Sequence, residues 1–340
     1  MINDIFFEGF FMVWFKNLVL GATILALCVV VFGAYVRLTD AGLGCPDWPG
    51  CYGTLTVPES VAAIEEAQAN YPNSTIDKGK AWIEMIHRYI AAILGLMILS
   101  LAFLAFKNKN DINVRPSLVY GLLGLVIAQG MLGMWTVTEL LMPIIVSLHL
   151  LGGMTTLGLL TYITHRHWGS VSDTLITLKP ISQKLIRFSL VILFIQIFLG
   201  GWTSTNYAAL ACTDFPTCHG ELIPPMDFSN GFTLWRELGM TAQGDALTLQ
   251  ALQAIQWIHR IGAFIFVSYF LYIIYLMSKF KSCNLYRNLL VIVISFQFII
   301  GVLNLLLHLP LALATMHNLG AALLVIITVI INSRITPKYG

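Results

Sequence analysis

Four histidines stand at corresponding places in the two halves of this 340-residue chain, inside stretches that are otherwise apolar. His87 and His259 are each followed by an arginine, and His149 and His317 stand alone roughly sixty residues later. An ionisable side chain inside a membrane segment costs a few kcal/mol or more, so its presence usually reflects a function. Imidazoles on neighbouring helices can bind haem iron as axial ligands. The pattern therefore predicts haem ligation in each half.

Two other interpretations apply to these histidines. They could be polar side chains that hydrogen-bond across helices, although four of them at repeat-related positions and matching depth make this the weaker explanation. They could also bind zinc, but zinc sites usually have three or four protein ligands. Each half offers two histidines and no nearby thiolate inside the membrane. Haem iron is bound by its own porphyrin ring and needs only axial ligands from the protein.

An arginine follows the first histidine of each pair. Arg88 and Arg260 lie at the predicted membrane boundary, where they could pair with haem propionates. The alternative is that each arginine extends its charged end to the interface without binding a ligand.

One residue breaks the correspondence between the halves. Glu84 precedes His87 by three residues, whereas the neutral Gln256 precedes His259 by three. Residues three apart on a helix share a face, so Glu84 should look toward whatever His87 faces. A carboxylate at one site only predicts proton chemistry in the first half. The alternative is an exposed glutamate at a helix start, stabilised by the helix dipole.

The composition predicts a membrane protein. Hydrophobic residues make up 57% of the chain and charged residues 11%, which leaves too little polar surface for a soluble protein of this size. Uncharged stretches recur at the length of about 20 residues that a helix needs to cross the hydrocarbon core. Eight spans are predicted, over residues 17–36, 83–106, 117–138, 142–164, 186–205, 254–278, 288–307 and 310–332.

The two halves also repeat one another in sequence. Residues 33–53 correspond to residues 200–220 at an offset of 167, and His149 corresponds to His317 at an offset of 168. Because each half has an even number of helices, the repeat is parallel, with its axis along the membrane normal. The predicted fold is an all-α polytopic membrane protein of two repeat-related four-helix bundles. The predicted domains are residues 1–170 and 171–340.

Lysine and arginine concentrate in the links after the second, fourth and sixth spans and at both chain ends. This bias predicts that both termini are cytoplasmic. The repeat-related pairs Cys45 with Cys51 and Cys212 with Cys218 then lie in outer loops, where an oxidising compartment permits structural disulfides. A metal-binding or redox-relay role for these cysteines is the alternative.

With these motifs together, the chain resembles the haem A synthase family of cytochrome oxidase assembly, in its bacterial type. The resemblance rests on Glu-x-x-His-Arg opening the second span, His-Arg opening the sixth, single histidines in the fourth and eighth, and cysteine pairs in the outer loops. It covers essentially the whole chain. It implies an oxidoreductase of the bacterial inner membrane that converts haem O to haem A, in which successive hydroxylations turn a ring methyl into a formyl group.

The resemblance also implies a role for each site. His259 and His317 would ligate a resident haem b, with Arg260 beside it. The first half would bind the substrate haem O at His87 and His149, with Arg88 at its edge and Glu84 as the catalytic residue. The expected partner is a haem O synthase that delivers the substrate. An electron acceptor is also expected but is not identified, and no nucleic-acid partner is expected. A homo-oligomer is left open.

Two rival functions stay open on the sequence. The first is a di-haem b-type cytochrome that carries electrons from quinol, with two permanent and equivalent haems. The second is a non-catalytic membrane protein that delivers haem during assembly. The glutamate at one site only argues against the first rival, and the cofactor-type histidine pair argues against the second. Residues 60–71 have helix-like apolar spacing, which predicts a lid over the first site or a segment at the membrane surface.

Overall fold

The structure is a computed structural model, and it describes residues 2–107, 114–168, 176–177, 180–280 and 283–336. The predicted domain boundary at residues 170 and 171 lies outside these ranges, as do parts of the basic links that set the predicted orientation. The domain boundary and the membrane orientation therefore stay predictions.

The eight predicted spans are confirmed as helices long and apolar enough to cross a membrane. In the described residues these helices are α1 (Ile2–Leu38), α3 (Lys78–Lys107), α4 (Pro116–Thr138), α5 (Pro143–Trp168), α6 (Pro180–Thr205), α8 (Leu249–Ser278), α9 (Asn284–Leu306) and α10 (Leu311–Ser333). Shorter elements complete the list: α2 (Val61–Asn70), a 3-10 turn (Ala208–Leu210), α7 (Phe228–Gly231), and the parallel strands β1 (Ile176–Thr177) and β2 (Ile335–Thr336).

Several helices begin earlier than their apolar stretch predicts. Helices α3 and α8 have 30 residues each, which at about 1.5 Å per residue exceeds a hydrocarbon core of roughly 30 Å. Their first turns are polar, and Thr248 caps α8 by accepting a hydrogen bond from the Ala251 amide. Hydropathy locates the part of a helix that lies inside the membrane, whereas capping residues locate the ends of the helix. The excess length carries His87 and His259 to a point just inside the apolar segment.

Contacts across the middle of the molecule are consistent with the predicted repeat. Arg37 donates to the carbonyl of Ser204 at 2.8 Å, and the Tyr207 hydroxyl donates to Asp40 at 2.7 Å, both at a separation of 167 residues. At the other end of the helices, His165 and Ser333 are hydrogen-bonded at a separation of 168. Residues close to a two-fold axis meet their own counterparts. These contacts therefore lie where a parallel repeat places its axis.

The same short turn joins the third and fourth long helices of each half. Leu140 and Leu141 between α4 and α5 have positive φ, and so do His308 and Leu309 between α9 and α10, at an offset of 168. This turn sets α5 antiparallel to α4 and α10 antiparallel to α9. Helices α5 and α10 then pack against each other in the centre, together with α1 and α6.

The main apolar core lies at the ends of the helices away from the histidines. It includes fully buried residues such as Phe15 on α1, Leu157 and Ile163 on α5, and Val325 on α10. Two smaller apolar clusters lie under the loops at the opposite end, one around Cys45 and Cys51 and one around Trp202. The histidine sites are therefore set between a packed core and covered loops.

Candidate haem sites in the two halves

The structure brings the first histidine pair together among four helices. His87 on α3 and His149 on α5 are close enough to interact electrostatically. His87 Cε1 lies 3.0 Å from where a Cβ on Gly33 of α1 would stand, and His149 Cε1 lies 3.4 Å from the same point on Gly133 of α4. Each ring thus packs directly on a backbone, which leaves its opposite side for a ligand.

The second pair has the same arrangement. His259 on α8 and His317 on α10 interact electrostatically. Their Cε1 atoms each lie 3.1 Å from the Cβ position of a glycine, Gly200 on α6 for His259 and Gly301 on α9 for His317. The sequence prediction that His87 meets His149 and His259 meets His317 agrees with this geometry.

These residues fit haem better than a protein-only metal site. Among the described residues, no group of three or more histidine, cysteine, aspartate or glutamate side chains could hold a metal ion. Each half supplies two imidazoles, the number that an iron already bound by a porphyrin requires. The buried Nδ1 atoms of His87, His149 and His317 make no bond of full hydrogen-bond geometry within the protein. Such a bond therefore does not prevent these imidazoles from binding a ligand.

Glu84 lies one helical turn before His87 and is buried. Its Oε2 accepts a hydrogen bond from the Cys45 amide at 3.0 Å, and its Oε1 accepts one from Arg88 at 2.5 Å. Only 5% of the residue is exposed, which excludes the prediction of an exposed helix-start glutamate. The Arg88 guanidinium favours the charged form of this carboxylate, and burial opposes it.

Gln256 occupies the equivalent place in the second half. Its Oε1 accepts a hydrogen bond from the Cys212 amide, and its Nε2 donates to the Ala209 carbonyl, both at 2.5 Å. Both halves therefore anchor the start of a cysteine loop in the same way. Glu84 and Gln256 differ in charge. Among the described contacts of these two residues, only Glu84 is hydrogen-bonded to an arginine side chain, that of Arg88.

The arginines beside the histidines hold the cysteine loops. Arg88 donates to the carbonyls of Asp47, Pro49 and Gly50. Arg260 donates to the carbonyls of Thr217 and Cys212, at 2.8 and 3.1 Å. Sequence reasoning missed these contacts. The available signal was that each arginine follows its cysteine loop at nearly the same distance along the sequence. Pairing with propionates stays a prediction.

Both cysteine pairs are disulfide-bonded, Cys45 to Cys51 and Cys212 to Cys218. An aspartate inside each loop accepts two backbone hydrogen bonds from the residues after the second cysteine. In the second loop this aspartate is Asp214, and hydrogen bonds from Thr217 and from the Gly220 amide hold the pKa of its carboxyl well below the usual range. Each loop is therefore a structured segment, held by a disulfide and an aspartate, over one of the two sites.

The covers over the two sites are anchored differently. The segment predicted as a lid forms α2, capped by Ser60, and its neighbour Glu59 holds Lys78 and Trp82 through exposed contacts. In the second half, Arg236 is 3% exposed and donates to Asn206 at 2.5 Å. Burial lowers the pKa of this arginine. The polar contact of Arg236 in the second cover is buried and those of Glu59 in the first are exposed, while Ala67 of α2 also packs into the apolar cluster around Cys45 and Cys51.

Comparison with known proteins agrees with this architecture. Residues 16–329 match the sequence model of the COX15-CtaA family, described as cytochrome oxidase assembly protein. The chain is 42% identical over 325 residues to a protein named heme A synthase from Shewanella oneidensis, covering 94% of this chain and 95% of that one. Proteins of the same name from Neorickettsia sennetsu and Flavobacterium johnsoniae are each 27% identical, over 88% and 89% of this chain and 93% and 92% of theirs.

The chain belongs to the haem A synthase family of cytochrome oxidase assembly proteins, since the family match spans most of its length and one relative is 42% identical over nearly all of it. The family resemblance seen in the motifs is confirmed.

Proposed function

We propose that this protein is a haem A synthase that oxidises the ring methyl of haem O to a formyl group through successive hydroxylations. It acts as an oxidoreductase on a methyl carbon for the maturation of cytochrome oxidase. The observation that carries the proposal is the single charge difference between two otherwise matched histidine sites, Glu84 in one and Gln256 in the other.

The second half supplies the cofactor site of this proposal. His259 and His317 would hold a haem b from both sides, with Arg260 binding the adjacent loop over it. When bound there, a b-type haem supplies one-electron transfer. The neutral Gln256 has no proton to exchange at neutral pH, which suits a site without proton chemistry, and the buried Arg236 contact holds the cover of this half.

The first half supplies the substrate site. His87 and His149 would hold haem O with the reacting methyl toward Glu84. Oxidation of a methyl carbon to a formyl group replaces two of its hydrogens by one oxygen and removes four electrons, which pass to an external electron acceptor. With water as the oxygen donor, four protons are released in total, and a buried carboxylate can accept them one at a time. Glu84 uses one acceptor position on each oxygen for Cys45 and Arg88, and a carboxylate has about four such positions. It can therefore receive a proton without losing its anchors.

Glu84 has a second possible task in the same place. If the substrate carbon develops positive charge during oxidation, a fixed carboxylate beside it lowers the energy of that state. Arg88 holds the carboxylate in position for either task and offsets part of its charge. Both tasks require the negative charge, so both are lost in Glu84→Gln.

We also propose the cellular setting that the sequence predicts. The protein lies in the bacterial cell membrane with both termini cytoplasmic and both disulfide loops outside, and it receives haem O from a haem O synthase. Accessibility of Cys45, Cys51, Cys212 and Cys218 to a membrane-impermeant thiol reagent, after reduction of intact cells, tests this orientation. Protection of all four after reduction contradicts it.

The decisive experiment identifies the haem product. The protein is expressed with a source of haem O, and extracted porphyrins are identified by mass. We expect the formyl product in the wild type and little of it in Glu84→Gln. The rival di-haem carrier predicts no chemical change in either haem, so unaltered haem O in the presence of a full complement of protein overturns the proposal.

A further inference from the structure

The four histidines share one packing arrangement but differ in what lies beside it. Each ring packs on a glycine of a neighbouring helix, as described above. At three of the four sites a glutamine stands four residues before that glycine, and a second glycine stands three residues after the histidine. These pairs are Gln129 with Gly152, Gln196 with Gly262, and Gln297 with Gly320.

The glutamine and the second glycine of each pair depend on each other. In all three pairs, the glutamine side chain fills the space in which a Cβ on the glycine would stand. Any other residue at Gly152, Gly262 or Gly320 would displace the amide. Glycine inside a helix is less stable than alanine, so its presence at all three positions is explained by the room it gives the glutamine.

The fourth site departs from this pattern at both positions. Beside His87, the residue four before Gly33 is Val29, and the residue three after the histidine is Ile90. Both are apolar and both are partly buried. At this site the branched apolar residues Val29 and Ile90 thus stand where the other three sites have a glutamine and a glycine. His87 Nδ1 is buried with no hydrogen-bond partner, and the Phe32 ring lies 6.2 Å from the imidazole.

The amide contact restrains the histidine ring. Gln196 Nε2 donates to the His259 carbonyl at 3.2 Å and lies 3.1 Å from His259 Nδ1. The backbone carbonyls of Gln129 and Gln297 face the rings of His149 and His317, although their Nδ1 atoms make no bond of full hydrogen-bond geometry. Groups behind a metal-binding histidine fix its ring orientation and raise ligand affinity. Among the described contacts, a glutamine side chain reaches the histidine only at His259, and Val29 and Ile90 offer no polar side chain to His87.

The surroundings of Gln196 make its restraint durable. The amide lies in a groove of about 200 Å³ whose other lining residues are apolar, among them Ile192, Leu199 and Ile261. Water competes poorly with a hydrogen bond in such a setting. Turning the His259 ring would remove one of the two contacts of the buried Gln196 Nε2.

We propose that Gln196 is a positioning residue that locks His259, and that His87, where Val29 and Ile90 replace the amide and the glycine, is the exchangeable ligand on whose side the substrate haem enters and leaves. The inference rests on the proposed function, in which the first half exchanges haem O for haem A while the second half keeps its haem. Haem in the first half is then released through His87, and the second half, in which Gln196 holds His259, retains its cofactor.

Exchanging the two pairs tests this assignment. One variant carries Val29→Gln with Ile90→Gly, and the other carries Gln196→Val with Gly262→Ile. The purified, haem-loaded proteins are mixed with excess apomyoglobin, and the haem that remains is identified by chromatography, so that haem O or A reports the first half and haem B the second. Ile90→Gly alone is the matched control for the helix change in the first variant, and Gln196→Val alone, which keeps Gly262, removes the amide of the second variant without changing the helix residue.

We expect the first variant to lose haem O and haem A roughly tenfold to a hundredfold more slowly, the range seen for groups behind a metal ligand. The second variant should lose haem B faster, with shifted low-spin ferric g-values. Wild-type release rates of haem O and A in the first variant, or of haem B in the second, overturn the inference, and the second variant decides if the first fails to fold. Absence of haem A in the wild type overturns the proposed function instead.

Discussion

The two halves of the molecule hold nearly the same histidine geometry and differ in the residues around the first histidine. Glu84, Val29 and Ile90 in the first half replace Gln256, Gln196 and Gly262 in the second. The first set adds a buried charge and removes a restraint, whereas the second set is neutral and tightly bound to the backbone. Under the proposed function, these differences distinguish a reaction site in the first half from a site that retains its haem in the second.

The covers over the sites extend this contrast. The second is held by the buried Arg236 and by Trp202, which donates to the Gly231 carbonyl at 2.9 Å. The polar contacts that Glu59 makes in the first are exposed, and Ala67 of α2 is buried in an apolar cluster. Exposed pairs contribute little to stability, about 0–1 kcal/mol. Under the proposed function, the cover with exposed polar anchors lies over the site that exchanges its ligand.

The largest expected effect comes from removing a ligand of the resident haem. In His259→Ala or His317→Ala the low-spin b-type absorption spectrum of the purified protein should be lost, because one axial bond to iron is gone. His87→Ala should leave most of that spectrum intact. His308→Ala, at an exposed helix end, is the control. Equal losses from substitutions in both halves would favour two equivalent permanent haems and contradict the comparison drawn here.

The next effect is on turnover. Glu84→Gln copies the second half's residue and should preserve folding, since Gln256 makes the same backbone bond. Loss of a general acid or base should lower haem A formation by roughly a hundredfold or more, measured by chromatography of extracted haems. Glu139→Gln makes the same chemical change at an exposed position and should have no effect. If Glu84 only caps the helix, stability falls by about 1 kcal/mol or less and turnover stays near normal.

A smaller effect concerns the disulfides. Cys212→Ser with Cys218→Ser should reduce the free energy of unfolding by roughly 2–3 kcal/mol, because a short loop is no longer constrained in the unfolded chain. Thiol labelling should modify Cys212 and Cys218 only after reduction. Cys28, which is free, reacts without reductant with a membrane-permeant reagent and marks the background. Labelling of Cys212 in unreduced protein would exclude the bond.

The smallest effect concerns the contact between halves. Tyr207→Phe removes the hydrogen bond to Asp40 and should cost about 0.5–1 kcal/mol of stability. Burial, followed by the Asp40 hydrogen bond, raises the pKa of Tyr207 above its ordinary value of 10.0. A raised pKa means that the contribution is complete below pH 10.0 and lost as pH rises through the folded-state value. Chemical denaturation of both proteins across this range measures it. A difference that does not shrink at high pH contradicts the assignment.

Much of the fold could be predicted because hydropathy is local. The eight spans follow from uncharged stretches of spanning length, and the pairing of His87 with His149 follows from their depth in the second and fourth spans. Helix ends were less predictable: α8 begins at Leu249 rather than at residue 254. Its start depends on the Thr248 cap, and a cap is visible only once the preceding loop has a conformation.

Contacts between loops and helices could not be predicted from local patterns. Arg88 reaches the carbonyls of Asp47 and Gly50, about forty residues earlier in the chain. The prediction that Glu84 could be an exposed helix-start residue was wrong because the Cys45 loop folds over it. Such contacts require the path of a loop in three dimensions, which residue spacing does not specify.

The sequence by itself determined that this chain is a membrane protein with four repeat-related histidines and one unmatched glutamate, because apolar length, residue type and repeat offset are properties of the chain. Only the tertiary structure decided that Glu84 is buried against Cys45 and Arg88, that the arginines bind loop carbonyls, and that glutamine amides lie beside three of the four histidine sites. The reason is physical. Burial and hydrogen bonding depend on which helices and loops meet, and these meetings join residues that are far apart in sequence.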